Sequence, residues 1–276
     1  MPFKRTTVFT RKDIIELCVA ANPEQYLRDP IISDLRPAFS KKLREREFTF
    51  LFADGGKIDY RFDRFGVCWR EEGEEWNEET AEVLESTREG VFLVHHLRTH
   101  VNPFEAATLV IDTNSNLVTM IYDKIGKASQ TRDIDRKVRF GWFGEKPAQL
   151  QDLTDELIGK VIDWKYADDI IIHTLYCNVQ CLAFISPLPA KAPGWEDYFP
   201  TFNPTKYIKI AEELYLVSFY APHACGMEVS MLIDLKKMRA VGATFGFDST
   251  DKFCSYTFGA KGAFAQLGFL GLYTVQ

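Results

Sequence analysis

Three features are missing from this sequence: long apolar runs, an excess of positive charge and paired cysteines. No window approaches the roughly 18 apolar residues that a membrane helix needs, and the opening stretch MPFKRTTVFTRKD lacks the apolar centre of a secretion signal. The net charge is -6, without the clustered lysine and arginine that bind a phosphate backbone. We therefore expect a cytoplasmic protein that binds neither membranes nor nucleic acids.

Motifs for metals and nucleotide cofactors are absent as well. The six cysteines are scattered, and the closest pair, Cys177 and Cys181, needs two further soft ligands to hold zinc. His95 and His96 are adjacent on a predicted strand, so they point to opposite faces and cannot both serve one site. No phosphate-binding glycine loop, G-x-S-x-G or H-E-x-x-H pattern is found. We expect chemistry by side chains alone, with no cofactor and no metal.

What the sequence does contain is aromatic residues and alternating strands. Aromatic residues make up 14% of the chain, which suits cores and pockets walled by flat rings. In FTFLFADGGKIDYRF, apolar and polar residues alternate on either side of Asp54, Gly55 and Gly56, which predicts a hairpin. No helical pattern separates the further strands, which are predicted at 67–70, 81–86, 91–97, 105–111 and 117–123. This succession predicts an antiparallel meander that closes into a barrel or a sandwich.

A chain of 276 residues is long enough for two cores. Residues 1–45 show helical spacing and predict an N-terminal helical segment, whose second helix begins at Ser33. Residues 46–126 form the first predicted barrel, and residues 127–153, where the alternation is lost, form a predicted linker. Residues 154–276 form the second predicted barrel.

The two halves resemble each other. EGVFLVHHLRTHVNPFEAATLVID in the first half runs beside EELYLVSFYAPHACGMEVSMLID in the second. FTFLFADGG likewise runs beside IDWKYADD, which places Phe50 over Trp164 and Phe52 over Tyr166. Duplication of one barrel explains this repeat. The fold class that we predict is therefore mainly β, with two tandem lipocalin-like or calycin-like antiparallel barrels after a helical segment.

Acidic residues are concentrated in one run, with eight glutamates between Glu71 and Glu85. The Asp and Asn spacing of a calcium loop is absent, so the run is interpreted as a solvated hairpin. Glu105 and Glu228 begin corresponding strands of the two halves and are interpreted as solvated edge residues.

The second half carries the richer set of candidate catalytic residues. Trp164 and Tyr166 share one face of a strand by alternation, and His173 shares a face with Ile171 and Leu175 on the return strand. We predict that His173 points into the barrel and transfers protons near neutral pH, while the Tyr166 hydroxyl donates to a developing oxyanion. The alternative is a buried histidine satisfied by one hydrogen bond. The predicted substrate contacts are Trp164, Lys206, Tyr207, Tyr215, Phe219 and His223.

The segments TDELIGKVIDWKY, KYIKIAEELYLVSFY and SMLIDLKKMRAVGATFGF resemble the C-terminal domain of the molybdenum cofactor biosynthesis protein F (MoaF) family. The first half, around FTFLFADGGKIDYRF and TLVIDTNSNLVTMIYD, looks like its N-terminal domain. This resemblance covers most of the chain after residue 45 and implies lipocalin-like barrels.

A more distant resemblance relates the second half to phenolic acid decarboxylases, which are cofactor-free barrels. Their Tyr-x-Tyr pair falls on Trp164 and Tyr166, and their glutamate falls at Ala221, so the acid is missing here. Lys206 stands in for their arginine. The resemblance implies related proton transfer by side chains and puts the decarboxylation itself in doubt.

Our leading hypothesis is a cofactor-independent lyase, isomerase or cyclase that encloses a small aromatic, terpenoid or polyketide-like molecule. The alternative is a non-catalytic small-molecule binding protein linked to molybdenum cofactor metabolism. A third class is an interaction module with filled barrels. The expected partner is a small molecule, and the sequence is compatible with a homodimer.

Overall fold

A computed structural model describes residues 35–64, 66–101, 105–125, 134–167, 170–185, 201–221, 227–247 and 253–265. The described chain forms two consecutive antiparallel β-barrels of eight strands each, which confirms the predicted fold class. Among these residues no helix has the length and apolar character that crossing a membrane requires. The first predicted helix lies outside the described residues.

The first barrel is a meander in which each strand pairs with the next. Its strands are β1 (Glu47–Phe52), β2 (Lys57–Phe62), β3 (Gly66–Glu71), β4 (Asn77–Glu85), β5 (Val91–Arg98), β6 (Glu105–Asp112), β7 (Leu117–Ile125) and β8 (Ile134–Trp142). The barrel closes where β8 pairs with β1, through Leu51 opposite Trp142 and Phe52 opposite Gly141. Closure leaves no free sheet edge in this barrel.

The second barrel repeats this plan. A short strand, β9 (Asp152–Leu153), precedes it and pairs with β13. Its strands are β10 (Val161–Ala167), β11 (Ile170–Asn178), β12 (Cys181–Ile185), β13 (Thr201–Ala211), β14 (Leu214–Ala221), β15 (Met227–Asp234), β16 (Arg239–Phe247) and β17 (Phe253–Phe264). Closure joins β17 to β10, so β10 to β17 correspond in order to β1 to β8. This correspondence agrees with the internal repeat.

The structure corrects the predicted linker. Residues 127–153 contain β8, which closes the first barrel, and β9, which pairs with the second. The alternation of β8 is hidden because Arg139, a charged residue, occupies an inward position. Its guanidinium lies 4.0 Å from the ring centroid of Phe52 and is paired with Asp54 at 3.0 Å. A charge satisfied in this way can face the inside of a barrel.

The helix predicted from Ser33 does not form over the described residues 35–46, which consist of turns and irregular chain. The apolar residues spaced four apart do not share one face. Leu43 is buried in the core of the first barrel, whereas Phe39 is 40% exposed and packs under Arg36. Contacts with the barrel therefore override the helical spacing.

Alternation sorts the side chains of every strand into an inward and an outward face. On β1, Phe48, Phe50 and Phe52 are buried between exposed or half-buried neighbours. Phe50 and its counterpart Trp164 both belong to the core of their own barrel, as the repeat predicts. Aromatic side chains fill much of both cores.

A third apolar cluster lies between the barrels rather than inside either one. The outward faces of β4 to β7 meet those of β13 to β16, which are the corresponding strands of the repeat. The buried members of this cluster are Leu84, Val91, Leu93, Val110, Ile121, Ile208, Ile210, Leu214, Leu216, Leu232, Val241 and Ala243. These strands are consequently buried on both faces, which explains why β5 and β6 are buried at every position.

Polar contacts cross the same interface. Arg88 Nε donates to Asp234 Oδ2 at 2.7 Å, and Thr257 Oγ1 donates to Glu82. His95 bridges the barrels because its two ring nitrogens lie 2.9 Å from the hydroxyl oxygens of Thr108 and Ser255. Burial lowers the pKa of His95 to about 3, so the imidazole is neutral at physiological pH.

Two buried carboxylates, Glu228 and Asp123, interact electrostatically with one arginine at this interface. Arg136 Nη1 lies 3.2 Å from Glu228 Oε1, and Ser218 donates to the same oxygen at 2.5 Å. Asp123, which stands opposite Arg136 in the register of β7 and β8, is 1% exposed, and its Oδ1 has no hydrogen-bond partner among the described residues. Burial raises the pKa of Glu228 to about 7, against the opposing charge of Arg136, and it raises the pKa of Asp123 well above its ordinary value. Glu228 is therefore not the solvated edge residue that the sequence predicted.

The raised pKa of Glu228 makes the stability of the protein depend on pH. Between the ordinary pKa of glutamate and about 7, the folded state binds more protons than the unfolded state, so the contribution of Glu228 to stability falls as the pH rises through this window. We expect the free energy of unfolding of Glu228→Gln, relative to that of the parent protein, to increase as the pH rises through this window, by up to about 1.4 kcal/mol per pH unit. Urea unfolding from pH 4.5 to 8 measures this difference.

Ser218→Ala is the control for this experiment, because it disturbs the same contact but retains the carboxylate and hence the pH dependence. A stability difference between Glu228→Gln and parent that stays constant with pH would show that Glu228 is ionised throughout.

Candidate functional site

One end of the first barrel gathers charged side chains on inward positions. Strand β5 presents Phe92, Val94, His96 and Arg98 on one face, and the first two lie in the barrel core. The same alternation brings His96 and Arg98 inside. Arg98 stands opposite Glu105 on β6, at the end of the barrel where β3 ends and β4 begins.

Arg98 lies between two aromatic rings. Its Cζ atom is 4.1 Å from the ring centroid of Trp69 and 4.5 Å from that of Tyr122. Nη2 donates to Glu71 Oε1 at 2.8 Å, and Nη1 donates to Glu105 Oε2 at 3.1 Å. Stacking and two charge-assisted hydrogen bonds fix the orientation of the guanidinium.

Further contacts join these residues into a network. Lys124 Nζ donates to Glu105 Oε1 at 2.6 Å, and the Tyr122 hydroxyl donates to Glu71 Oε1 at 3.2 Å. We call this group the mouth cluster; its members are Trp69, Glu71, Arg98, Glu105, Tyr122 and Lys124. Glu71 therefore points into the barrel and makes specific contacts there. For this residue the interpretation as part of a solvated hairpin is wrong.

Exposure decreases from the rim of the mouth cluster to its centre. The side chains of Glu71 and Lys124 are 41% and 38% exposed, whereas that of Arg98 is 8% exposed and Trp69 is fully buried. His100, next to the rim, is exposed and places its ring 4.9 Å from that of Trp69. The cluster therefore reaches from solvent into the barrel.

Two buried donors of the mouth cluster have no hydrogen-bond partner among the described residues. They are the indole Nε1 of Trp69 and the guanidinium Nε of Arg98. A buried donor without a partner costs about 1–3 kcal/mol. Both donors belong to the stacked pair of Trp69 and Arg98, so these two unsatisfied N–H groups lie in the same part of the barrel.

Below the mouth cluster lies a buried tyrosine–histidine pair. The Tyr60 hydroxyl is 2.9 Å from His96 Nε2, and His96 Nδ1 is 2.9 Å from the carbonyl oxygen of Leu97. A carbonyl only accepts, so Nδ1 carries the proton and Tyr60 donates to Nε2. Burial lowers the pKa of His96 to about 4 and raises that of Tyr60 well above its ordinary value. Both side chains are therefore neutral.

The second barrel has a different interior. Trp164 and Tyr166 share its inward face, as predicted. Trp164 Nε1 donates to the Tyr176 hydroxyl at 3.1 Å, and the Tyr207 hydroxyl donates to the carbonyl oxygen of Cys181 at 2.8 Å. A Cβ atom at Gly262 would lie 2.7 Å from the Trp164 ring, so a residue without a side chain is needed there to leave room for the indole. Rings that satisfy one another occupy this part of the barrel.

The predicted inward orientation of His173 is wrong. In the register of β10 and β11, His173 stands opposite Asp163 and Trp164 stands opposite Ile172. His173 therefore lies on the outer face, where its Nδ1 is 2.6 Å from Asp163 Oδ1. Tyr176, which alternation places on the opposite face from His173, is the residue that accepts the hydrogen bond of the Trp164 indole. The structure does not bring His173 and Tyr166 into one site.

The predicted substrate contacts separate into three groups. Tyr207 and Tyr215 are buried in the second core, Phe219 is half-buried against it, and the Tyr215 hydroxyl donates to Glu156 Oε2 at 2.6 Å. Lys206 stands opposite Ser218 on the outer face, so its predicted contact with a ligand inside the barrel is wrong. His223 lies outside the described residues.

Comparison with known families assigns both halves of the chain. The MoaF N-terminal domain matches residues 32–127, and the MoaF C-terminal domain matches residues 151–266. The chain belongs to the MoaF family. No curated protein shows a significant match to it.

Within this MoaF-family protein, the mouth cluster lies in the N-terminal match and was not found by sequence reasoning. The signal for it was present, because β5 places His96 and Arg98 on the same face as Phe92 and Val94. As predicted, His95 and His96 serve different surfaces. No group of three or more metal-ligating side chains comes together in the described part of the chain.

Among the described residues, Trp69 and Trp164 are fully buried and form a matched pair for a stability test. Trp69→Phe removes a donor without a partner, whereas Trp164→Phe removes the donor that satisfies Tyr176. Both changes shrink a core ring, so the hydrogen bond is the main difference between them. We expect Trp164→Phe to lower the free energy of unfolding by about 1 kcal/mol more than Trp69→Phe does. Guanidinium unfolding checks this, and an equal loss would contradict the assignment of a free indole donor to Trp69.

Proposed function

We propose that this MoaF-family protein binds a small organic molecule at the mouth cluster of its first barrel. The observation that carries the proposal is the pair of buried donors, Trp69 Nε1 and Arg98 Nε, without partners among the described residues. Buried polar groups are almost always hydrogen-bonded, and exceptions concentrate where a ligand or water completes the set. Acceptors on a ligand bound at this pair would satisfy these donors.

The arrangement around these donors supports binding. Arg98 is held by stacking and by two carboxylates, so a ligand would meet a fixed guanidinium and not a mobile one. Glu71 and Lys124 are partly exposed at the rim, so a ligand would approach the buried donors from this end of the barrel. Closed eight-stranded barrels that hold one small ligand are a common architecture.

The interior of the second barrel offers less to a polar ligand. The indole of Trp164 and the hydroxyls of Tyr207 and Tyr215 already have partners within the barrel or at its end. These three groups therefore offer no free donor to a ligand. This contrast is why we assign the ligand to the first barrel, although sequence reasoning favoured the second.

The Tyr60–His96 pair supports a second candidate function, acid–base catalysis by a cofactor-independent lyase, isomerase or cyclase. The pair holds a proton donor and a proton acceptor in direct contact, and His96 lies two residues before Arg98 on the same face of β5. His96 Nε2 would accept the Tyr60 proton while the phenolate oxygen removes a proton from the ligand. Burial opposes charge separation in this pair, so binding is the better-supported function.

Binding is tested by extracting small molecules from the purified, folded protein and identifying them by mass spectrometry. We expect a compound that co-purifies with the parent protein and falls at least tenfold in Trp69→Phe and in Arg98→Lys. The lysine variant keeps the charge that Glu71 and Glu105 require but removes the free Nε donor. Circular dichroism confirms that each variant is folded.

Trp164→Phe and His173→Ala are the controls, since neither residue touches the mouth cluster. Retention of the compound in Trp69→Phe with its loss in Trp164→Phe would move the site to the second barrel. If no compound co-purifies, a thermal-shift screen of polar ring compounds replaces the extraction, with the same variants.

Catalysis is tested with the compound so identified. We expect Tyr60→Phe to retain the compound, because Tyr60 lies below the donors that bind it, but to lower its turnover by at least a hundredfold. Product analysis by mass spectrometry measures turnover. Equal turnover in Tyr60→Phe and parent would exclude this pair as the proton-transfer machinery and leave binding as the function.

A further inference from the structure

We infer that the ligand of the mouth cluster presents an uncharged hydrogen-bond acceptor, such as the carbonyl oxygen of an amide, lactam or ketone. This inference rests on the proposed function and specifies the chemical class of the ligand.

The first step is the polarity of the free atoms. An indole nitrogen and a guanidinium nitrogen donate and never accept. A group on the ligand that satisfies Trp69 Nε1 or Arg98 Nε must therefore be an acceptor. Both donors are buried, Trp69 completely and Arg98 to 6% exposure, so the acceptor reaches a place with little competing solvent.

The second step is the charge around these donors. Arg98 and Lys124 supply two positive charges, and Glu71 and Glu105 supply two negative charges in direct contact with them. The network is thus balanced without a ligand. The next cations along the inward face of β8, Lys137 and Arg139, share the carboxylate of Asp54.

The third step excludes charged ligands. A carboxylate or phosphate at Arg98 Nε would approach the carboxylates of Glu71 and Glu105, which already occupy the other two nitrogens of that guanidinium. Like charges in a buried place repel strongly. An ammonium group would bring donors to a place that needs acceptors. A neutral carbonyl avoids both costs, because it accepts without adding charge.

Nuclear magnetic resonance of the full-length protein tests this inference directly. The chain has five tryptophans, so ¹⁵N labelling gives a small set of indole signals, and Trp69→Phe identifies the one that belongs to Trp69. Three probes of similar size and different charge are titrated at pH 7: benzamide, benzoate and benzylammonium. A new hydrogen bond to the indole moves its proton signal downfield.

We expect benzamide to shift the Trp69 indole signal in a saturable way, with benzoate at least tenfold weaker and benzylammonium without effect. The Trp164 indole, which already donates to Tyr176, is the internal control and stays unchanged. In Arg98→Lys the benzamide affinity should fall by about tenfold, the effect of losing one hydrogen bond of about 1.4 kcal/mol.

Each other outcome overturns the inference. Benzoate binding as tightly as benzamide would show that the site takes anions, while the proposed binding function would stand. No response of Trp69 to any probe would reject the acceptor class. The binding function as well would be rejected only if the binding of no co-purified or screened compound depended on Trp69.

Discussion

Closure of each antiparallel ladder is the constraint on which the rest of this structure depends. In a closed barrel every strand has a neighbour on both sides, so its only freedom is which alternate residues face inward. A shift of one residue would exchange the two faces. The pairing of β8 with β1 and of β17 with β10 therefore fixes which side chains form the cores, the interface and the mouth cluster.

The same rule explains which expectations from sequence were right. Alternation in IDWKY correctly placed Trp164 and Tyr166 on one inward face, and Phe50 and Phe52, with which the repeat aligns them, also lie in a barrel core. The fold class followed from such strands and from the repeat. Strand β8 escaped recognition because Arg139 occupies an inward position, and its ion pair with Asp54 cannot be seen without the fold.

The candidate site was harder to predict, for a different physical reason. Alternation within β11 says that His173, Ile171 and Leu175 share a face but not whether this face points inward. Only the pairing with β10, which sets His173 opposite Asp163, decides that question. The mouth cluster likewise depends on residues from four strands. Glu71 and Glu105 reveal their role only when the barrel brings them to Arg98.

The two barrels meet through corresponding strands, whose outward side chains form an apolar layer with buried polar contacts at its margin. A half of the chain prepared alone would expose this layer, including Leu93 or Leu216, to water and leave a carboxylate or a guanidinium unpaired. Each half thus has its own core but is not an independent module. The apolar layer that joins the barrels also separates their interiors. Substitutions inside one barrel can therefore introduce charged side chains while the interior of the other keeps its packed aromatic rings.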